Sequence, residues 1–139
     1  MVLVAVCAPI AFGRTFEYGP FDVDVPAGWA PKELPDDGFE LRSLERGNVL
    51  TVHYGSISGG SLEEFAQYIA EDLHGTKPRY DKTYDGWRFT HMTQSRWKTQ
   101  VLIRGSERGD AAVIIQWTTK TSPISKSDLE QILSSIRLR

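Results

Sequence analysis

Residues 111–119 read AAVIIQWTT, and the reading of that stretch decides the fold. Its first five residues are all apolar. Alternation along a strand places Ala112 and Ile114 on one side and Ala111, Val113, Ile115 and Trp117 on the other. Apolar residues on both sides, many of them β-branched or aromatic, mark a strand buried on both faces. Such a strand needs cover above and below. The stretch therefore predicts an α+β fold, a central antiparallel sheet with helices packed on it.

Working back from this strand, three segments with short connections predict a meander: residues 80–84, 87–93 and 97–104. Asp85-Gly86 and Ser95-Arg96 supply the turns, and residues 105–109 (GSERG) make the hairpin tip. Working forward, Ser127 with Glu130 three residues later reads as a capping box, and Leu129, Ile132, Leu133 and Ile136 form a helical stripe. A helix over 127–138 is expected. A second capping box, Ser61 and Glu64, opens a stripe of Leu62, Phe65, Ile69 and Leu73 that Gly75 ends, predicting a helix over 61–74.

In the N-terminal half, residues 14–25 alternate as one half-buried strand, with Phe21, Val23 and Val25 inward. Trp29 reads as a core plug just past its end. Pro31 and Pro35 predict an irregular, extended connection. Residues 39–44 and 48–54 form a hairpin around Glu45-Arg46-Gly47. The sum is about six strands in one domain over residues 14–139, with helical layers on both faces.

Residues 3–12 (LVAVCAPIAF) have the length and character of a signal-peptide core, and Ala11 and Gly13 suit cleavage before Arg14. Export to the periplasm or the outside is expected. Lipid anchoring through Cys7 is disfavoured by Val6, which stands where a small residue is wanted. A lone cysteine excludes a disulfide within the chain and a cysteine-based zinc site.

The net charge is only −2, but it is divided unevenly. Residues 1–72 hold 12 acidic and 4 basic groups, and residues 73–139 hold 6 acidic and 12 basic. The stretches FDVDVPAGW at 21–29, SLEEFAQYIA at 61–70 and SDLEQILSSIRL at 127–138 resemble the PsbP-like superfamily. That superfamily includes photosystem II extrinsic subunits, a Ran-binding nuclear import factor and bacterial DcrB-like envelope proteins. The resemblance implies a central antiparallel sheet between helical layers, an α/β/α sandwich. It also implies a role in binding other proteins rather than in catalysis, and it carries no catalytic residue set.

Several clusters are candidates for chemistry. The 54–61 loop (YGSISGGS) precedes a helix and could bind an anion through backbone N–H groups, but no Lys follows Gly60 and no Ser occupies position 57. His53 and His91 lie on expected strands, and Asp22 and Asp24 share one strand, yet no metal-binding spacing is present. Neither cofactor nor metal is expected. The segment 77–98 interleaves basic and aromatic residues. From it Arg79, Tyr80, Lys82, Tyr84, Arg88, Arg96 and Lys98 are expected to contact a protein partner by charge steering and aromatic anchoring. The net acidity argues against nucleic acid. The expectation is a non-catalytic envelope protein, near a membrane, that binds or assists another protein. Its alternatives are a small-ligand domain with a pocket between the 55–60 loop and the sheet, and a cytoplasmic chaperone-like adaptor.

Overall fold

The computed structural model describes residues 14–57, 59–118 and 123–139. The leader expected over residues 1–13, with Cys7, lies outside the described residues, as does Thr119.

Among the described residues, ten strands form two antiparallel sheets. A three-stranded sheet has the order β1-β2-β10, from β1 (Arg14–Tyr18), β2 (Phe21–Val25) and β10 (Arg137–Leu138). The members of the other sheet are β3 (Trp29–Glu33), β4 (Phe39–Ser43), β5 (Val49–Ser56), β6 (Arg79–Asp81), β7 (Gly86–Met92), β8 (Lys98–Gly105) and β9 (Ala111–Thr118). These seven run in the order β3-β4-β5-β9-β8-β7-β6. Two helices, α1 (Leu62–Asp72) and α2 (Lys126–Ser135), complete the described chain.

The α+β sandwich of about six strands between helical layers is therefore corrected to a mainly β architecture. Among the described residues, α1 alone covers one face of the large sheet. The opposite face is covered by the small sheet together with α2. Phe21, Val23 and Val25 of β2 and Ile132, Leu133 and Ile136 of the α2 segment share one core with Phe39, Leu41, Leu50, Val52, Val113 and Ile115. The second core joins Ala66 and Ala70 of α1 to Phe89, Val101, Ile103 and Ala112.

Four local features account for the difference. Gly19, with φ of 54°, and Pro20 turn residues 14–25 back on themselves. Glycine suits that left-handed backbone, and one expected strand becomes the β1–β2 hairpin. Pro31 sits inside β3 rather than in a loop, which an edge strand tolerates because one side of its backbone meets no ladder. The last helix is shifted towards the N-terminus. Ser125, not Ser127, caps it by accepting from the Asp128 N–H at 3.2 Å, and it ends at Ser135. Arg137 and Leu138 then pair with Asp22 and Phe21 as β10.

Other expectations hold. In β9, Ala112, Val113, Ile115 and Trp117 are all buried. The Ser61–Glu64 capping box is formed in both directions. Glu64 N–H donates to the Ser61 hydroxyl at 3.1 Å, and Ser61 N–H donates to the Glu64 carboxylate at 3.3 Å. Trp29 is buried, and its indole N–H donates to Asp128 at 3.0 Å, fastening β3 to α2. The basic C-terminus meets the acidic N-terminal half directly, since Arg139 pairs with Glu17 at 3.2 Å and Asp22 at 3.3 Å.

Candidate binding groove

The α1 side of the large sheet changes character along its length. Antiparallel register sets Ile114 beside Ile103 and Ala112 beside Gly105, a small and apolar area beneath α1. Farther along the same side, Val49, Thr118, Thr99 and His91 lie in one row across β5, β9, β8 and β7. Thr51 and Gln116 adjoin that row. The helix cannot roof all of it. The 11 residues of α1 span about 16 Å at the usual helical rise. The eight residues of β9 run about 27 Å at the usual strand rise.

The uncovered end is a groove of about 560 Å³. Its floor is that row with Thr51 and Gln116, and two turns wall it. One wall is Arg46-Gly47-Asn48, between β4 and β5. The other runs from Thr93 to Trp97, between β7 and β8. Both walls are braced. Gly47 has φ of 70° and its N–H donates to the Ser43 carbonyl at 2.9 Å, and the Arg46 guanidinium donates to the Pro123 carbonyl at 3.2 Å. In the other turn Arg96 has φ of 65° and Trp97 N–H donates to the Thr93 hydroxyl at 3.0 Å. Trp97 is therefore presented on a defined turn, 37% exposed.

Two residues of the lining each hold a buried nitrogen with no hydrogen-bond partner among the described residues: Asn48 Nδ2 and His91 Nε2. Asn48 as a whole is only 5% exposed, and it lies between the groove and a smaller crevice of about 220 Å³ beside Trp29. An unsatisfied buried polar group costs about 1–3 kcal/mol. Thr99 and Thr118 hydroxyls bond each other at 2.8 Å. Among the described residues no carboxylate lines the groove.

The seven residues expected to contact a partner do not form one surface. Arg96 and Lys98 lie at the groove end of the β7–β8 hairpin, whereas Lys82 and Tyr84 lie in the β6–β7 turn at the other end. Tyr84 is half-buried against the larger core. Burial, then the carboxylates of Glu130 and Asp81, push its phenol above the usual tyrosine range. Arg88 is spent within the fold. It pairs with Asp81 at 3.1 Å, donates to Gln100 at 3.3 Å and lies 5.4 Å over the Trp117 ring. Arg79 is exposed and, with Lys77 and Arg88, lines a crevice of about 410 Å³. Tyr80 is exposed, set edge-on against Trp87 at 5.6 Å, and its hydroxyl donates to Asp85 at 2.5 Å, a bond that raises its pKa.

The other sequence candidates are engaged elsewhere. His53 pairs with Asp36 at 3.0 Å. It stands on β5 and His91 on β7, with β9 and β8 between them, so the two imidazoles do not converge. Asp24 accepts from the Thr15 hydroxyl at 2.6 Å. Among the described residues no three His, Cys, Asp or Glu side chains gather to hold a metal. On the α1 side Phe65 packs against Gly55 of β5, its Cζ 2.9 Å from where a Gly55 Cβ would lie.

The sequence did carry a signal for the groove. The second face of β9 reads Ala112, Ile114, then Gln116 and Thr118, so it turns polar halfway along. A strand roofed throughout by a helix has no reason to do that. The same switch occurs in β8, where the apolar Ile103 and Val101 share that face with the polar Thr99.

Among the described residues no helix is long and apolar enough to cross a membrane. No protein-family model matches the sequence, and no curated protein matches it. The fold is similar to that in a crystal structure of a protein from Bacteroides thetaiotaomicron VPI-5482, at 14% sequence identity and a TM-score of 0.63. The match covers 91% of this chain and 48% of that one, so the chain spans about half the length of that protein, and the likeness at this identity is one of fold alone.

Proposed function

We propose that this is a non-catalytic binding domain whose recognition surface is the groove at the open end of the seven-stranded sheet. The observation that carries this reading is the groove of about 560 Å³ itself, floored by Thr51, Thr99, Gln116 and Thr118 and walled by two braced turns. That volume falls within the range of ligand sites, and the braced turns on either side make the site largely preformed. The test is amide chemical-shift mapping of the labelled protein against a library of small polar molecules. Shifts of bound members are expected to gather at Asn48, Thr51, Thr99 and Gln116. Shifts gathered at the Lys77–Arg79–Arg88 crevice instead would contradict the reading.

A second reading rests on Tyr80. Its ring is fixed by Trp87 and Asp85 while remaining exposed, and Arg79 and Lys82 flank it, which suits anchoring of a protein partner. Export also belongs to the proposal, supported by the composition of residues 1–13. Material recovered from outside the cytoplasm should begin at Arg14, and an intact leader there would argue for another route.

A further inference from the structure

We infer that the groove takes a short carbohydrate, neutral or carboxylate-bearing and not cationic. This deepens the groove reading above and depends on it.

Three features of the lining select that chemistry. First, beside Val49 the floor carries groups that both donate and accept: the hydroxyls of Thr51, Thr99 and Thr118, the last two bonded to each other with acceptor capacity to spare, and the amide of Gln116. Sugar hydroxyls have the same dual character, so either partner can adjust to the other. Second, Trp97 stands at one wall with its indole partly exposed. A sugar ring offers a face of C–H groups to such a surface, joining an apolar contact to hydrogen bonds at the rim. Third, among the described residues the lining contains Arg46 and His91 but no Asp or Glu. An amino sugar would meet no countercharge, whereas a carboxylate would meet the Arg46 guanidinium at the opposite wall.

An extended peptide fits less well. The floor strands β5, β9, β8 and β7 spend their backbone N–H and C=O groups on one another, so none remains for strand addition. A wholly apolar ligand would match the apolar part of the lining but would leave the hydroxyls and the Gln116 amide without replacements for their water.

The experiment uses the full chain and a panel of trisaccharides at millimolar concentration: neutral (glucose, galactose and N-acetylglucosamine types), acidic (galacturonate type) and cationic (glucosamine type). Amide shifts are followed by NMR, with short Gly/Ser/Thr peptides as a parallel arm. At least one neutral or acidic sugar should shift Thr51, Thr99 and Gln116, and the glucosamine trisaccharide should leave them still. Trp97→Ala should weaken that binding by about tenfold or more, as loss of an aromatic anchor does. Gln116→Ala is the second variant, in case the first disturbs the turn, and thermal unfolding of both confirms the fold. Where an acidic sugar binds, Arg46→Gln should remove about a tenfold preference over its neutral counterpart, the scale of one charged hydrogen bond.

Peptides shifting the groove while every sugar fails would overturn the carbohydrate assignment and keep the groove. Failure of both arms, with shifts elsewhere or none, would overturn both. Tightest binding by the cationic sugar would contradict the charge argument.

Discussion

Replacing Phe21 with Ala should destabilise the protein by about 3–5 kcal/mol, the cost of deleting a fully buried phenyl ring. Phe21 is completely buried, and it is where the two sheets are joined. Its ring meets Phe39 of the large sheet edge-on at 5.4 Å and Tyr54 at 5.8 Å, while its backbone pairs with Leu138 of β10. Truncation therefore removes contacts from both sheets at once, and the rigid ladders around it leave little room for collapse. Urea unfolding followed by far-ultraviolet circular dichroism measures the effect. Leu44→Ala is the companion control. The Leu44 side chain is largely exposed. Its loss should change stability by no more than about 0.5 kcal/mol, the usual scale for a surface substitution. Equal effects from the two variants would mean that Phe21 does not bridge the sheets.

Gly38→Ala should destabilise by about 1–3 kcal/mol, because the added methyl has nowhere to go. A Cβ at that position would lie 2.6 Å from the Val52 carbonyl oxygen and 2.7 Å from His53 Nδ1. The first is backbone of a paired strand and cannot step aside. The second belongs to the imidazole that pairs with Asp36, so the substitution should also break that 3.0 Å contact. Gly60→Ala is the matched comparison, since a Cβ there meets nothing within 4 Å and the backbone is not left-handed. It should be neutral or slightly stabilising. Thermal unfolding of the pair separates close approach from any general intolerance of alanine.

Elements whose signals are local were legible in the sequence. The run 111–115 announced a strand buried on both faces, and Ser61 with Glu64 announced a helix start; both are where the residues placed them. What escaped depended on what a segment meets in three dimensions. Pro31 looked like a breaker, and only its position on an edge strand makes it acceptable. Ile136 and Leu138 fit a helical stripe as well as an alternating one, and the choice was made by an open edge of β2 that no local pattern reveals. The covering of the sheet was misjudged for a related reason. An apolar strand face demands cover without saying whether a helix or a second sheet provides it.

The site was legible in part. Arg79, Tyr80 and Lys82 lie towards solvent, as an alternating strand and turn allow. Spacing could not show that Arg88 and Tyr84 turn inward or that Arg96 and Lys98 lie at the far end of a hairpin. The groove residues Asn48, Thr51, Thr99, Gln116 and Trp97 come from separate turns and strands, and only register brings them together. Gln116 and Thr118 were in plain view as polar residues interrupting a buried face.

The central claim is that the large sheet has unlike covers, a single helix on one face and a second sheet with α2 on the other, and that the uncovered remainder is the groove. Nuclear Overhauser contacts test it most directly. The account predicts contacts from the Phe21 ring to Phe39 and Tyr54, cross-strand contacts between Arg137 and Asp22, and contacts from Phe65 to Gly55 and Ile114. Helical contacts continuing through Arg137 and Leu138, or helix residues lying over Thr51, Thr99 and Gln116, would contradict it.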